Sequence, residues 1–225
     1  MRPRTQTACV QMSDTFRAAV CVILSGGFQD AYTYTCRGGV FANAQTGNVV
    51  LLSAAVFRQE WDACLKCAIP LLAFFLGTVA AECVHIRLKK SQKLHWRQIV
   101  LLCEILFLLI VGFLPRSADL LANALVSFVC AMQVQTFHKV RGHIYASTMC
   151  IGNLRCATES LCAYCRNHEP ETLRASLTYF GVIAVFALGA AAGSVAAAQL
   201  DIHAVWVCCA LLLVSFDMMF FPMES

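Results

Sequence analysis

The chain has 225 residues, of which 59% are hydrophobic and only 13% charged, and its net charge is +4. A soluble domain carries about a quarter charged residues, so too few stand here to clothe a water-exposed surface of this size. The apolar residues come in blocks with the cations in short loops between them, a pattern that belongs to the positive-inside rule of membrane proteins and not to a nucleic-acid-binding patch.

Residues 1–15 read as an N-terminal tail carrying Arg2, Arg4 and Asp14. The first apolar block, Phe16–Cys36, runs through Gly26-Gly27 into Asp30 without a small-residue cleavage site, which marks a retained helix and not a removed signal. A crossing needs about 20 mostly apolar residues. Five more blocks meet that length roughly: Cys67–Ile86, Gln98–Leu114, Asp119–Phe137, Leu177–Leu200 and His203–Phe221.

Two further segments differ from these. Val40–Phe57 crowds Asn43, Gln45, Thr46, Gly47 and Asn48 into its front half, and Ile144–Tyr164 places Arg155 and Glu159 near its middle. Each such charge costs about 2.5–3.5 kcal/mol at the centre of a lipid-facing helix. If both segments cross, the Lys and Arg residues divide about evenly between the two sides. If both dip in and return, 13 lie on the side of the N-terminus against four on the other (Arg37, Arg58, Lys66, Arg116). The second arrangement obeys the positive-inside rule. The expected fold is therefore all-α: a polytopic membrane bundle of about six spanning helices plus two broken or re-entrant segments, in one domain over 16–225.

The two odd segments also resemble one another. Arg37-Gly38-Gly39-Val40-Phe41-Ala42 leads to Gly47-Asn48, and Arg141-Gly142-His143-Ile144-Tyr145-Ala146 leads to Gly152-Asn153. A second echo pairs Phe74-Phe75-Leu76-Gly77 with Phe186-Ala187-Leu188-Gly189. Two pseudo-symmetric halves follow, 16–114 and 118–221. Three crossings and one dip per half make them inverted repeats, whose sites in transporters lie at the repeat interface near the midplane. Irregular backbone is expected at Thr46-Gly47-Asn48 and Ile151-Gly152-Asn153, with each Asn capping the helix that follows and the exposed helix ends suited to an anion or a carbonyl oxygen.

Gly26-Gly27-Phe28-Gln29-Asp30-Ala31, Gly38-Gly39-Val40-Phe41-Ala42-Asn43 and Thr46-Gly47-Asn48-Val49-Val50-Leu51-Leu52, with Ala131-Met132-Gln133-Val134-Gln135-Thr136 and Gly152-Asn153-Leu154, resemble the YoaK-like family of multi-pass membrane proteins. The likeness runs from about residue 16 to 220. It departs at Ile151, where a threonine is usual, and in the number of cysteines. It implies a membrane fold and no established activity.

Asp30 is the sharpest candidate for function, because intramembrane carboxylates are costly and face an interior or a cavity. The structural alternative is a helix-end carboxylate paired with Arg37. The matching position in the second half is read as Gln135. Glu82, Glu104 and Asp217 read as interfacial, Arg155 and Glu159 as an i, i+4 ion pair, and Gly189-x-x-x-Gly193 as a close helix contact. No HExxH, GxSxG, phosphate-binding loop or dinucleotide fingerprint occurs, which points away from an enzyme. Most of the cysteines read as packing residues. No cofactor, metal or nucleic-acid partner is expected, and the oligomeric state is open.

The leading expectation is a transporter or channel-like permease for a small polar solute or ion. Asp30, Asn43, Thr46, Gly47, Asn48, Gln133, Gln135, Gly152 and Asn153 would form its site, and both termini would be cytoplasmic in a plasma or bacterial inner membrane. The rivals are a membrane-embedded thiol enzyme using Cys64/Cys67 or Cys162/Cys165, and a non-transporting scaffold.

Overall fold

A computed structural model describes residues 16–88, 96–140, 143–145 and 147–219. The chain is almost wholly helical. In order come α1 (Phe16–Cys36), α2 (Gln45–Phe57), α3 (Trp61–Leu88), α4 (Trp96–Phe113), α5 (Asp119–Thr136), α6 (Cys150–Asn167), α7 (Pro170–Leu200) and α8 (Trp206–Met218). Short 3-10 turns stand at Arg116–Ala118 and Asp201–Val205, and Lys139–Val140 pairs antiparallel with His143–Ile144.

Among the described residues, four helical stretches are long and apolar enough to cross a membrane: Trp61–Leu88, Trp96–Phe113, Arg116–Thr136 and Pro170–Met218. Their outer faces carry Phe75, Leu76, Leu106, Phe113, Leu188 and Val195, all exposed, as lipid-facing helices require. The chain is a membrane protein by this composition. The α2 helix has 13 residues, about 20 Å at 1.5 Å per residue, which is shorter than a hydrocarbon core of about 30 Å. The α6 helix carries the expected Arg155–Glu159 pair at 2.8 Å on its exposed face.

The main core lies where α1, α4, α5 and α8 meet, around Val22, Phe28, Tyr32, Leu101, Leu108, Val126, Val129, Cys208 and Leu212. Two long helices flank it: α7 packs along α1, and α3 along α5. Glycine makes both contacts close. A Cβ on Gly189 would strike the backbone carbonyl of Leu24, and one on Gly77 would strike that of Phe128. Gly193 lies against Phe28, so the Gly189-x-x-x-Gly193 contact forms as expected. In turn, α2 packs on α3, α6 on α7, and α4 on α8.

The α1 helix is continuous through Gly26 and Gly27. Their missing side chains admit neighbours: Thr148 and Gln133 against Gly26, and the Phe186 backbone of α7 against Gly27. Several expectations need correction. Thr46-Gly47-Asn48 and Ile151-Gly152-Asn153 lie inside the first turns of α2 and α6, and the irregular backbone comes just before them. Neither Asn caps its own helix. The N-cap positions are Ala44 and Met149, without side-chain capping bonds. Glu104 is fully buried inside the bundle. Asp217 is exposed, and Glu82 is about half exposed, with His85 3.6 Å away.

Candidate functional site

The loop between α1 and α2 turns back on itself through Gly38 (φ 83°) and Gly39 (φ 76°), a left-handed conformation open to glycine without strain. The reversal returns residues 42–44 to the middle of α1. There the Asn43 backbone N–H donates to Asp30 Oδ1 at 2.8 Å, and Asn43 Nδ2 donates to the Gly26 carbonyl at 3.3 Å. In the second half the stretch before α6 reaches the same place, and a Cβ on Gly26 would come within 2.6 Å of Thr148 Cγ2. The first turns of α2 and α6 thus arrive at one side of α1.

Between them lies a cavity of about 700 Å³. Its polar lining includes Asp30, Asn43, Gln45, Thr46, Thr148 and Asn153, and its apolar lining includes Phe74, Tyr145, Met149, Ile151 and Phe186. Asp30 is the one charged side chain among the described residues that line it. A family description, a protein of unknown function (DUF1275), matches residues 18–218. The chain belongs to the DUF1275 family. That agrees with the likeness carried by the glycine and Gly-Asn motifs. No curated protein and no solved structure matches the chain.

Of the residues singled out in this DUF1275 chain, Asp30, Asn43, Thr46, Gly152 and Asn153 line the cavity together. Gly47 and Asn48 share the first turn of α2 without lining it. Asn48 is buried and ties that turn to the loop, donating to the Phe41 carbonyl at 3.1 Å and to Gln45 Oε1 at 2.9 Å. Gln133 lies behind Gly26 and donates to the Val22 carbonyl at 2.9 Å. Gln135 points elsewhere and donates to Glu82 Oε2 at 2.9 Å.

The Asp30–Arg37 pair does not form. Arg37 is fully buried at the end of α1 and ion-pairs with Asp119 at 3.0 Å. Its remaining donors go to Tyr32 Oη and to the carbonyls of Val111, Leu114 and Pro115 at the end of α4.

Sequence reasoning missed Phe74, Phe186, Tyr145 and Thr148. The two phenylalanines stood in plain view in the paired Phe-x-Leu-Gly echoes, where their spacing reads as helix packing. Thr148 carries no motif of its own. Of the two cysteine pairs, Cys64 and Cys67 are buried and Cys162 and Cys165 exposed, and none of the four lines the cavity.

Proposed function

We propose that this protein is a permease for a small polar solute or ion, with its site in the cavity where the first turns of α2 and α6 meet over Asp30. One observation carries the reading: a buried carboxylate from α1 borders a cavity of about 700 Å³ walled by both polar, glycine-bearing segments. A carboxylate inside a membrane bundle is expensive, and such groups in membrane proteins mark substrate and ion paths. The size falls in the range of small-molecule sites.

The halves are inverted repeats in this reading. Exchanging them carries α1 on α7 into α5 on α3, α2 on α3 into α6 on α7, and the Gly189–Leu24 contact into the Gly77–Phe128 contact. The cavity then straddles the pseudo-two-fold, with Phe74 and Phe186 as partner walls. Six helices cross, α2 and α6 enter from opposite faces and return, and both termini are cytoplasmic. The shortness of α2 and the exposed Arg155–Glu159 pair of α6 support the dips. Neither Cys64/Cys67 nor Cys162/Cys165 borders the cavity, so the thiol-enzyme alternative draws no support from it.

Flux into proteoliposomes of the full chain tests the reading. Solute entry above empty liposomes, abolished by Asp30→Asn, is the expected result. No flux for any class of cation, neutral solute or anion would overturn it. Cysteine-accessibility labelling that finds the two ends of α2 or of α6 on different sides would remove the inverted arrangement.

A further inference from the structure

The polar atoms at and behind the cavity wall are unevenly supplied with partners. Asn43 Oδ1 and Thr148 Oγ1, on lining residues, and Ser147 Oγ and Gln133 Oε1, on residues that do not line it, are all buried and have no hydrogen-bond partner among the described residues. Two of these, Asn43 Oδ1 and Gln133 Oε1, are amide oxygens and can only accept. The amide nitrogens of the same side chains are engaged, by the Gly26 and Val22 carbonyls. Three backbone donors nearby are engaged as well: the N–H of Asn43 by Asp30, that of Gly47 by the Ala44 carbonyl, and that of Asn153 by the Met149 carbonyl. The two amide oxygens therefore await donors, while the Thr148 and Ser147 hydroxyls can accept or donate.

A buried acceptor without a partner costs about 1–3 kcal/mol. Several around one glycine are a standing demand for a molecule rich in N–H or O–H donors. Charge adds to that demand. Asp30 brings a carboxylate, and no Lys, Arg or His among the described residues lines the cavity to oppose it. An anion would meet the Asp30 carboxylate with no lining cation to offset it, which argues against the anion reading of the two helix ends.

The walls select further. A bare metal ion needs a tight cage of oxygens, whereas this cavity is large and its surface is mostly apolar. Phe74 and Phe186 contribute to that surface from α3 and α7, with Tyr145 from the stretch before α6. Aromatic faces attract desolvated cations through their ring quadrupoles. A carboxylate, unused acceptors and aromatic walls together describe a receptor for a nitrogen cation that carries an apolar body.

We infer that the cavity between α2 and α6 binds a small organic ammonium ion, its N–H donors directed to Asp30, Asn43 and Thr148 and its carbon skeleton laid against Phe74, Phe186 and Tyr145. The inference rests on the permease reading for the location of the site and adds the class of its ligand.

Calorimetric titration of the purified full chain in nanodiscs tests it with three probes of one shape: benzylammonium, benzyl alcohol and benzoate. Benzylammonium is expected to bind at least about tenfold more tightly than the other two. Asp30→Asn, which keeps an acceptor for the Asn43 N–H, should abolish that preference. Thr148→Val should weaken benzylammonium binding by about three- to tenfold while leaving a charge preference, because it removes one acceptor and not the carboxylate. This second variant decides the matter if Asp30→Asn fails to fold.

Equal affinity for benzyl alcohol, tighter binding of benzoate, or an unchanged preference in both variants would overturn the inference. Flux distinguishes the two readings. Transport of neutral or anionic solutes without ammonium preference sinks the ligand class alone. Selective benzylammonium binding with no flux under any gradient supports the ligand class and sinks the permease.

Discussion

The two ends of the exposed-to-buried traffic along α1 handle charge in opposite ways. At Arg37 all three guanidinium nitrogens donate: Tyr32, Asp119 and three carbonyls surround a guanidinium with no exposed surface. Two turns earlier, Asp30 accepts from the Asn43 backbone and borders a cavity with unpartnered oxygens beside it. A closed set of partners ties α1 to the end of α4 and leaves nothing to offer a ligand. An incomplete set next to open volume is what a binding site requires. Burial alone therefore does not separate a structural charge from an available one; the balance of partners does.

The sharpest way to break this comparison is at the closed end. Arg37→Met should cost about 3–5 kcal/mol, because it leaves Asp119 and the carbonyls at the end of α4 without their cation. Loss of a monodisperse detergent peak, or a large fall in the melting transition, checks this. A variant as stable as the parent would mean that the knot is dispensable.

Glu104 offers a contrasting case. It is fully buried, neither carboxylate oxygen has a hydrogen-bond partner among the described residues, and it does not line the cavity. An unpartnered group without room for a ligand is a burden on the fold. Glu104→Met, similar in volume and apolar, should raise stability by about 1–3 kcal/mol. Thermal melts in one detergent would reveal it, and a destabilised variant would show that Glu104 has a partner of its own.

Smallest in stability is the expected effect at the open end. Asp30→Asn should shift unfolding by no more than about 1 kcal/mol, since the Asn43 N–H keeps an oxygen acceptor. The same melts run beside the flux assay would separate lost function from lost fold. A collapse like that of Arg37→Met would make Asp30 structural and erase the contrast between the two ends.

The fold was legible where composition and length suffice. Phe16–Cys36 is the first helix to the residue, and Asp119–Thr136 ends one residue short of its apolar block. Boundaries slipped where a polar first turn continued an apolar helix, as at Trp61 and Pro170, because hydropathy marks the lipid-facing part and not where hydrogen bonding begins. Within the proposed repeat, the match of Asp30 with Gln135 is one residue out of register. The Leu24 and Phe128 contacts are offset by 104 residues, which aligns buried Gln29 with buried Gln133. A shift of one residue turns a helix by about 100°. That rotation carries Gln135 away from the cavity and onto Glu82.

The sequence by itself determined the solvent and the parts: long apolar stretches with few charges can only form helices in a bilayer, where each backbone group must find its partner within the chain. It also marked Asp30 and the two Gly-Asn segments, since polar residues are rare enough there to stand out. Only the tertiary structure decided that the two segments meet over Asp30, that Arg37 belongs to Asp119, and that Thr148, Phe74 and Phe186 complete the cavity. These bring together residues far apart along the chain, such as Asp30 and Phe186, which line one cavity from 156 positions apart. No local pattern encodes them, because they follow from how glycines let whole helices close on one another.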